Sequence, residues 1–207
     1  TTDNLIPESV TALYMTGKDF GNWDWESPKV VSFENGYAGD SRWFYIAYLR
    51  QGEKLEFSTV KAFGRGNFAK LQKYQGYTVE NDRAVVPSDG IYLIYVGLDT
   101  HEVDIQPLSL GGYCGSARVD FTTDPGGKTM SATIPADGRM RIYPNIPAFN
   151  SVPKFGEWKR EVYVDPTSKD FLYRKKGSPE PNKDYSWKAG TKITINFVTN
   201  KATIVEP

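Results

Sequence analysis

Residues 88–107, "SDGIYLIYVGLDTHEVDIQP", lie over residues 188–207, "KAGTKITINFVTNKATIVEP", without a gap. Gly90 matches Gly190 and Pro107 matches Pro207, while Leu93, Tyr95, Leu98 and Ile105 match Ile193, Ile195, Val198 and Val205. On this alignment His101 falls opposite Lys201. A segment that recurs within a chain requires one fold to accept both copies. Other pieces keep the same order: "LYMTGKDFG" (13–21) resembles "LSLGGYCG" (108–115), and "AYLRQGEKLEFS" (47–58) resembles "ATIPADGRMRIY" (132–143). The chain therefore reads as a linker (1–10) followed by two copies of one module, 11–107 and 108–207. With the second copy starting at Leu108, the connection is short and restricts how the two can be oriented.

The module is all-β. Short β-branched or aromatic runs bounded by Gly, Asp, Asn or Pro recur at 11–17, 42–49, 54–60, 90–98 and 102–107. In the second half they recur at 129–135, 139–144, 160–164, 170–174, 191–198 and 201–207. "RQGE" (50–53), "ADGR" (136–139) and "VTNK" (198–201) carry hairpin turn chemistry. No long segment holds a helical apolar period, so the expected architecture is a pair of tandem β-sandwiches with Ig-like or carbohydrate-module character.

Composition removes several functions. The 207 residues carry 25 Lys+Arg and 25 Asp+Glu, so net charge does not steer the chain toward nucleic acid or an anionic membrane. The single cysteine, Cys114, rules out an internal disulfide. One His and one Cys cannot build a zinc site of the usual spacing. "GRGNFAK" (64–70) lacks the spacing of a phosphate loop. His101 reads as a solvated turn residue and Cys114 as a small packed side chain. Asp19, Asp24, Glu157 and Glu161 are the carboxylates from which a glycosidase pair could be drawn. The reading calls for no cofactor and no metal.

A sugar ring has one face of C–H groups and a rim of hydroxyls. A flat aromatic ring covers the first, and long donors such as Arg and Lys bridge the second. Each ring contributes on the order of 1 kcal/mol, which fits micromolar to millimolar binding. The second module offers this pairing in "SVPKFGEWKREVYV" (151–164), where Trp158 sits among Lys154, Lys159 and Arg160 in a polar, loop-like setting. Tyr113 stands in the Gly-rich turn "GGYCG". Alternation in "RMRIY" places Arg139, Arg141 and Tyr143 away from Met140 and Ile142, which makes Arg141 a solvent-facing donor. Arg174, closing "DFLYR", reads the same way. In the first module Trp23, Trp25, Phe63 and Lys61 are the candidates. Trp23 and Trp25 share a face if extended and diverge if the loop turns between them, and at least one should pack.

These stretches, with "VVPSDGIYLIYVGLDTHEVDIQP" and "YSWKAGTKITINFVTNKATIVEP", resemble the carbohydrate-binding modules of SusE/SusF-type outer-membrane lipoproteins over residues 11–207. The resemblance implies non-catalytic capture of polysaccharide, with starch-like α-glucan as the expected ligand. It also implies a lipid-anchored place on the outer-membrane surface beside a SusC/SusD-type transport complex. The anchor and a further N-terminal domain would lie outside this chain, which reads as a fragment. Carried over, the ligand platform maps to Trp158 and Tyr113 with Arg141 as donor. In the first module the matching residues are Phe63, Trp23 or Trp25, and Glu56. A carboxylate at Glu56 accepts hydroxyl hydrogens but cannot donate, which favours the second module. A structural or protein-interaction module and a glycoside hydrolase are the competing readings.

Overall fold

Turn residues bound the strands almost where the apolar alternation stops. The computed structural model describes residues 10–37, 39, 41–64, 73–145 and 158–207. The first half contains β1 (Tyr14–Thr16), β2 (Val31–Ser32), β3 (Arg42–Leu49), β4 (Lys54–Ser58), β5 (Lys73–Gln75), β6 (Thr78–Glu80), β7 (Arg83–Val85), β8 (Gly90–Gly97) and β9 (Glu102–Pro107). The second contains β10 (Leu110–Cys114), β11 (Ala117–Asp120), β12 (Thr122–Thr123), β13 (Thr129–Thr133), β14 (Met140–Pro144), β15 (Val162–Val164), β16 (Phe171–Tyr173), β17 (Lys192–Asn196) and β18 (Lys201–Val205). Among the described residues the helical content is one 3-10 turn, Trp158–Arg160, and no helix is long and apolar enough to cross a membrane.

Each half is a pair of sheets. In the first the strand orders are β2-β1-β4-β7-β6 and β3-β8-β9-β5. In the second they are β11-β10-β14-β15-β16 and β12-β13-β17-β18. The all-β expectation holds, and β1 and β10 stand at the same place beside β4 and β14. Two expected hairpins are not hairpins, however. "RQGE" joins β3 to β4 and "ADGR" joins β13 to β14, and each pair lies in different sheets. Both turns instead bond to a third segment: Gly52 N–H to the Val86 carbonyl (2.9 Å) and Gly138 N–H to the Trp187 carbonyl (2.9 Å). The same turn chemistry serves an arch between sheets and a hairpin within one, so composition does not separate them.

The repeat is real in topology but displaced by one residue. Gly97 pairs with Glu102 across the β8–β9 turn, and Asn196 pairs with Lys201 across the β17–β18 turn. The left-handed residue closing each turn is His101 (φ 53°) and Asn200 (φ 56°). His101 thus corresponds to Asn200 rather than Lys201. Ile94, Val96 and Leu98 correspond to Ile193, Ile195 and Phe197. A one-residue slip exchanges the faces of a strand. The alternation did not prevent it, because β8 is buried on both faces from Ile91 to Gly97.

That double burial comes from contact between the halves. Trp43, Ala47, Ile94 and Val96 pack with Leu13, Met15, Leu55 and Phe57 inside the first half. On the opposite face Phe44, Ile46, Leu93 and Tyr95 share one apolar cluster with Met130, Ile142, Val162, Phe171 and Ile193 of the second. The free edge of β3 is closed as well. Phe44 N–H bonds the Glu34 carbonyl (2.7 Å), Ile46 N–H the Tyr173 hydroxyl (2.9 Å) and Tyr48 N–H the Phe197 carbonyl (3.3 Å). An edge strand whose donors are occupied cannot recruit another chain.

Candidate functional site

The "GGYCG" segment is strand, not turn: it forms most of β10 and turns only at Gly115 (φ 57°). Gly112 faces Ile142 in the ladder, and a Cβ there would stand 1.9 Å from the Arg141 carbonyl oxygen. This close approach sets Tyr113 directly across from Arg141, with both on the outer face. Tyr113 is exposed, and the Arg118 guanidinium lies 5.9 Å from its ring centre.

Arg141 is not an open donor. Its Nε and Nη2 bond the two oxygens of Glu161 at 2.8 and 3.0 Å, and its Nη1 lies 3.2 Å from Glu180. Arg174 is not solvent-facing either. It is 7% exposed, and its Nη1 donates to the same Glu161 at 3.1 Å. Arg174 lies just past β16, where its N–H also bonds the Glu161 carbonyl at 3.0 Å. Glu161, fully buried, is the anchor, since two guanidiniums converge on it. Arg139 reaches Glu180 at 2.5 Å and holds that carboxyl below its ordinary value. Among the described residues three arginines face two carboxylates in this cluster. Charge-assisted, bidentate pairing of this kind fixes a guanidinium's orientation as well as its place.

Trp158 lies at the rim of this network and is 40% exposed. The Arg174 guanidinium carbon sits 5.1 Å from its ring centre. The same carbon sits 4.7 Å from the ring of Tyr37, a residue of the first half that sequence reasoning missed. The Tyr37 and Trp158 rings are 5.0 Å apart with planes tilted by 51°. The result is a two-ring, angled platform fixed from below by a buried cation. Nothing in the sequence near Tyr37 marks it, because its neighbour in space lies far along the chain. Lys154 lies outside the described residues, as does Glu157.

The first half carries a related pattern with the signs exchanged. Glu56 on β4 lies 3.6 Å from Arg83 on β7, where the second half has Arg141 on β14 and Glu161 beside β15. Arg83 also stacks on Trp23, at 3.9 Å from the ring centre. Trp23 lines an open cleft of about 560 Å³ with Lys18, Arg50, Gln51, Glu53, Lys54 and Asp89. Asn22 and Trp23 both have positive φ, so the chain turns between the two tryptophans and they diverge. Trp25 is buried and packs on exposed Phe63 with ring centres 5.4 Å apart. Lys61 lies over Tyr14 at 5.5 Å. Of the four candidates of this half, Trp25 and Phe63 meet, Lys61 lies over Tyr14 and Trp23 lies under Arg83.

Three of the candidate carboxylates lie among the described residues, and each has a partner. Glu161 is engaged by Arg141 and Arg174, Asp19 pairs with Arg50, and Asp24 accepts the Glu26 N–H at 3.0 Å. Cys114 is buried, and burial pushes its thiol up. Among the described residues no group of three His, Cys, Asp or Glu side chains gathers to hold a metal ion.

Comparison with known proteins agrees with the resemblance read from the residues. Residues 12–104 match the family described as SusF/SusE starch specific CBMs. The structure of SusF from Bacteroides thetaiotaomicron superposes with a TM-score of 0.77 at 20% identity, covering 97% of this chain and 48% of that one. The chain thus spans about half the length of that protein and shares its fold. None of the curated proteins matches the chain.

Proposed function

We propose that this protein binds polysaccharide without cleaving it, and that starch-like α-glucan is the ligand. One observation carries the reading: Trp158 is an exposed indole whose lower side is held by a buried, ion-paired arginine and whose flank is extended by a second aromatic ring. Lys159, the residue after Trp158, lies 5.7 Å from the same ring centre, so the indole stands with cations close to it on a partly open surface, the pairing of flat ring and long donors that a sugar needs. A platform of this shape follows the C–H faces of successive sugar units while Lys159, beside the indole, meets hydroxyls. Arg141, across the ladder from exposed Tyr113, connects to the platform through Glu161 and Arg174. The family description over residues 12–104 supports a binding module rather than a catalytic one.

In this reading the chain comprises two modules, 11–107 and 108–207, with the principal ligand surface at Trp158. It serves at the outer-membrane surface, tethered by a lipid anchor and associated with a SusC/SusD-type transporter. Electrophoresis through native gels containing amylopectin, xylan or mannan tests the ligand class. Retardation by amylopectin, without release of reducing ends on incubation, is the expected result. Unchanged mobility in every gel contradicts the proposal, and release of reducing ends revives the hydrolase reading.

A further inference from the structure

The segment that carries Tyr37 is anchored to its own half at Glu34, whose N–H bonds the Phe44 carbonyl at 3.0 Å, and meets the second half beyond it. The Tyr37 backbone N–H bonds the Lys159 carbonyl at 2.8 Å. Two residues earlier, the Asn35 carbonyl accepts from Arg160 Nη1 at 3.0 Å. Glu34 stands 3.5 Å from Lys175. Between them, Gly36 (φ 65°) passes so close that a Cβ would lie 2.2 Å from the Lys159 carbonyl oxygen. Residues 34–37 are therefore a strap from the first half laid along residues 159–160 of the second.

We propose that the ligand platform is a composite of the two halves, and that occupancy of the platform and seating of this strap reinforce one another. The proposal rests on the reading of Trp158 as the sugar-binding surface. Arg174 supports both rings from one position, so the two faces hold their 51° relation only while the strap is seated. Lifting the strap removes one ring from the platform and uncovers the guanidinium. A sugar chain resting on both rings makes contacts that exist only in the seated arrangement. By linkage, it must then favour that arrangement by the same factor by which seating favours binding. Tyr37 is a ligand-contacting residue in this account, while Gly36 acts by positioning it.

The test is calorimetric titration of maltoheptaose into the full chain and three variants. Tyr37→Ala should bind about tenfold more weakly, the effect of losing one of two stacking rings. Gly36→Ala keeps both rings but forces the strap off the Lys159 carbonyl, and it should lose a similar factor. Trp158→Ala should lose at least as much. In the wild type, maltoheptaose should also slow hydrogen exchange at the Tyr37 amide, a readout independent of whether Gly36→Ala folds. If Tyr37→Ala binds as the wild type does and the Tyr37 amide is unaffected by ligand, while Trp158→Ala loses binding, the composite platform is wrong and the glycan site at Trp158 stands. If the wild type fails to bind, or Trp158→Ala binds unchanged, both fall.

Discussion

Arg141 grips Glu161 through two hydrogen bonds, of 2.8 and 3.0 Å, and Glu161 passes its remaining capacity to buried Arg174. The buried carboxylate is the group to which both arginines bond directly. Glu161→Gln removes that charge while keeping shape. Removing one partner of a buried ion pair costs about 3–5 kcal/mol, because the other is left uncompensated. The variant should therefore be destabilised by about 3 kcal/mol in urea unfolding and should lose glycan retention through misplacement of Arg174. A loss below about 0.5 kcal/mol would show that the network does not hold the platform.

The two neighbouring tryptophans of "NWDW" should behave differently. Trp25 is 6% exposed and packed, so Trp25→Ala should destabilise by about 3–5 kcal/mol. Trp23 lies on the surface beneath Arg83, and a cation–ring contact of this kind contributes about 0.5–1 kcal/mol. Trp23→Ala should thus shift the thermal midpoint only slightly. Equal effects would mean that the turn at Asn22–Trp23 does not separate the two rings.

Asp104 should make stability depend on pH. It is 1% exposed, its Oδ2 has no hydrogen-bond partner, and burial next to Glu102 pushes its carboxyl up to about 7. The Gln75 amide opposes the shift, and Tyr95 faces it across the ladder. With the folded value above the unfolded 3.8, folding favours the protonated carboxyl. Its contribution is complete below the unfolded value and is lost as pH rises through the folded one. Asp104→Asn should therefore exceed the wild type in stability by about 2–4 kcal/mol above pH 7, the difference vanishing near pH 4. Urea unfolding of both proteins across that range reads it directly. A constant difference would contradict the assignment.

Much of the fold was legible because period-two runs and turn residues bound the strands regardless of tertiary context. The strands expected at 42–49, 54–60, 90–98 and 191–198 all form, while the short strands β2, β6 and β12 carry too few residues to show a period. The register of the repeat was not legible. Ile91 to Gly97 are apolar or small on both faces, one serving the first half and the other the second, so either alignment satisfied the pattern. At the candidate site Trp158 and Tyr113 stood out as aromatics in polar surroundings and are exposed. Arg141 and Arg174 lie where the reading put them along the chain, but their guanidiniums turn inward to Glu161, a partner that spacing did not identify. Tyr37 was invisible, since its role depends on a contact between halves.

Whether Trp158 forms the ligand surface is decided by titration of maltoheptaose into wild-type protein and Trp158→Ala. At 40% exposure the indole contributes little to the core, so the two proteins should unfold at similar urea concentrations. The wild type should bind in the micromolar to millimolar range and the variant about tenfold or more weakly. Equal affinities with equal stability would contradict that role for Trp158.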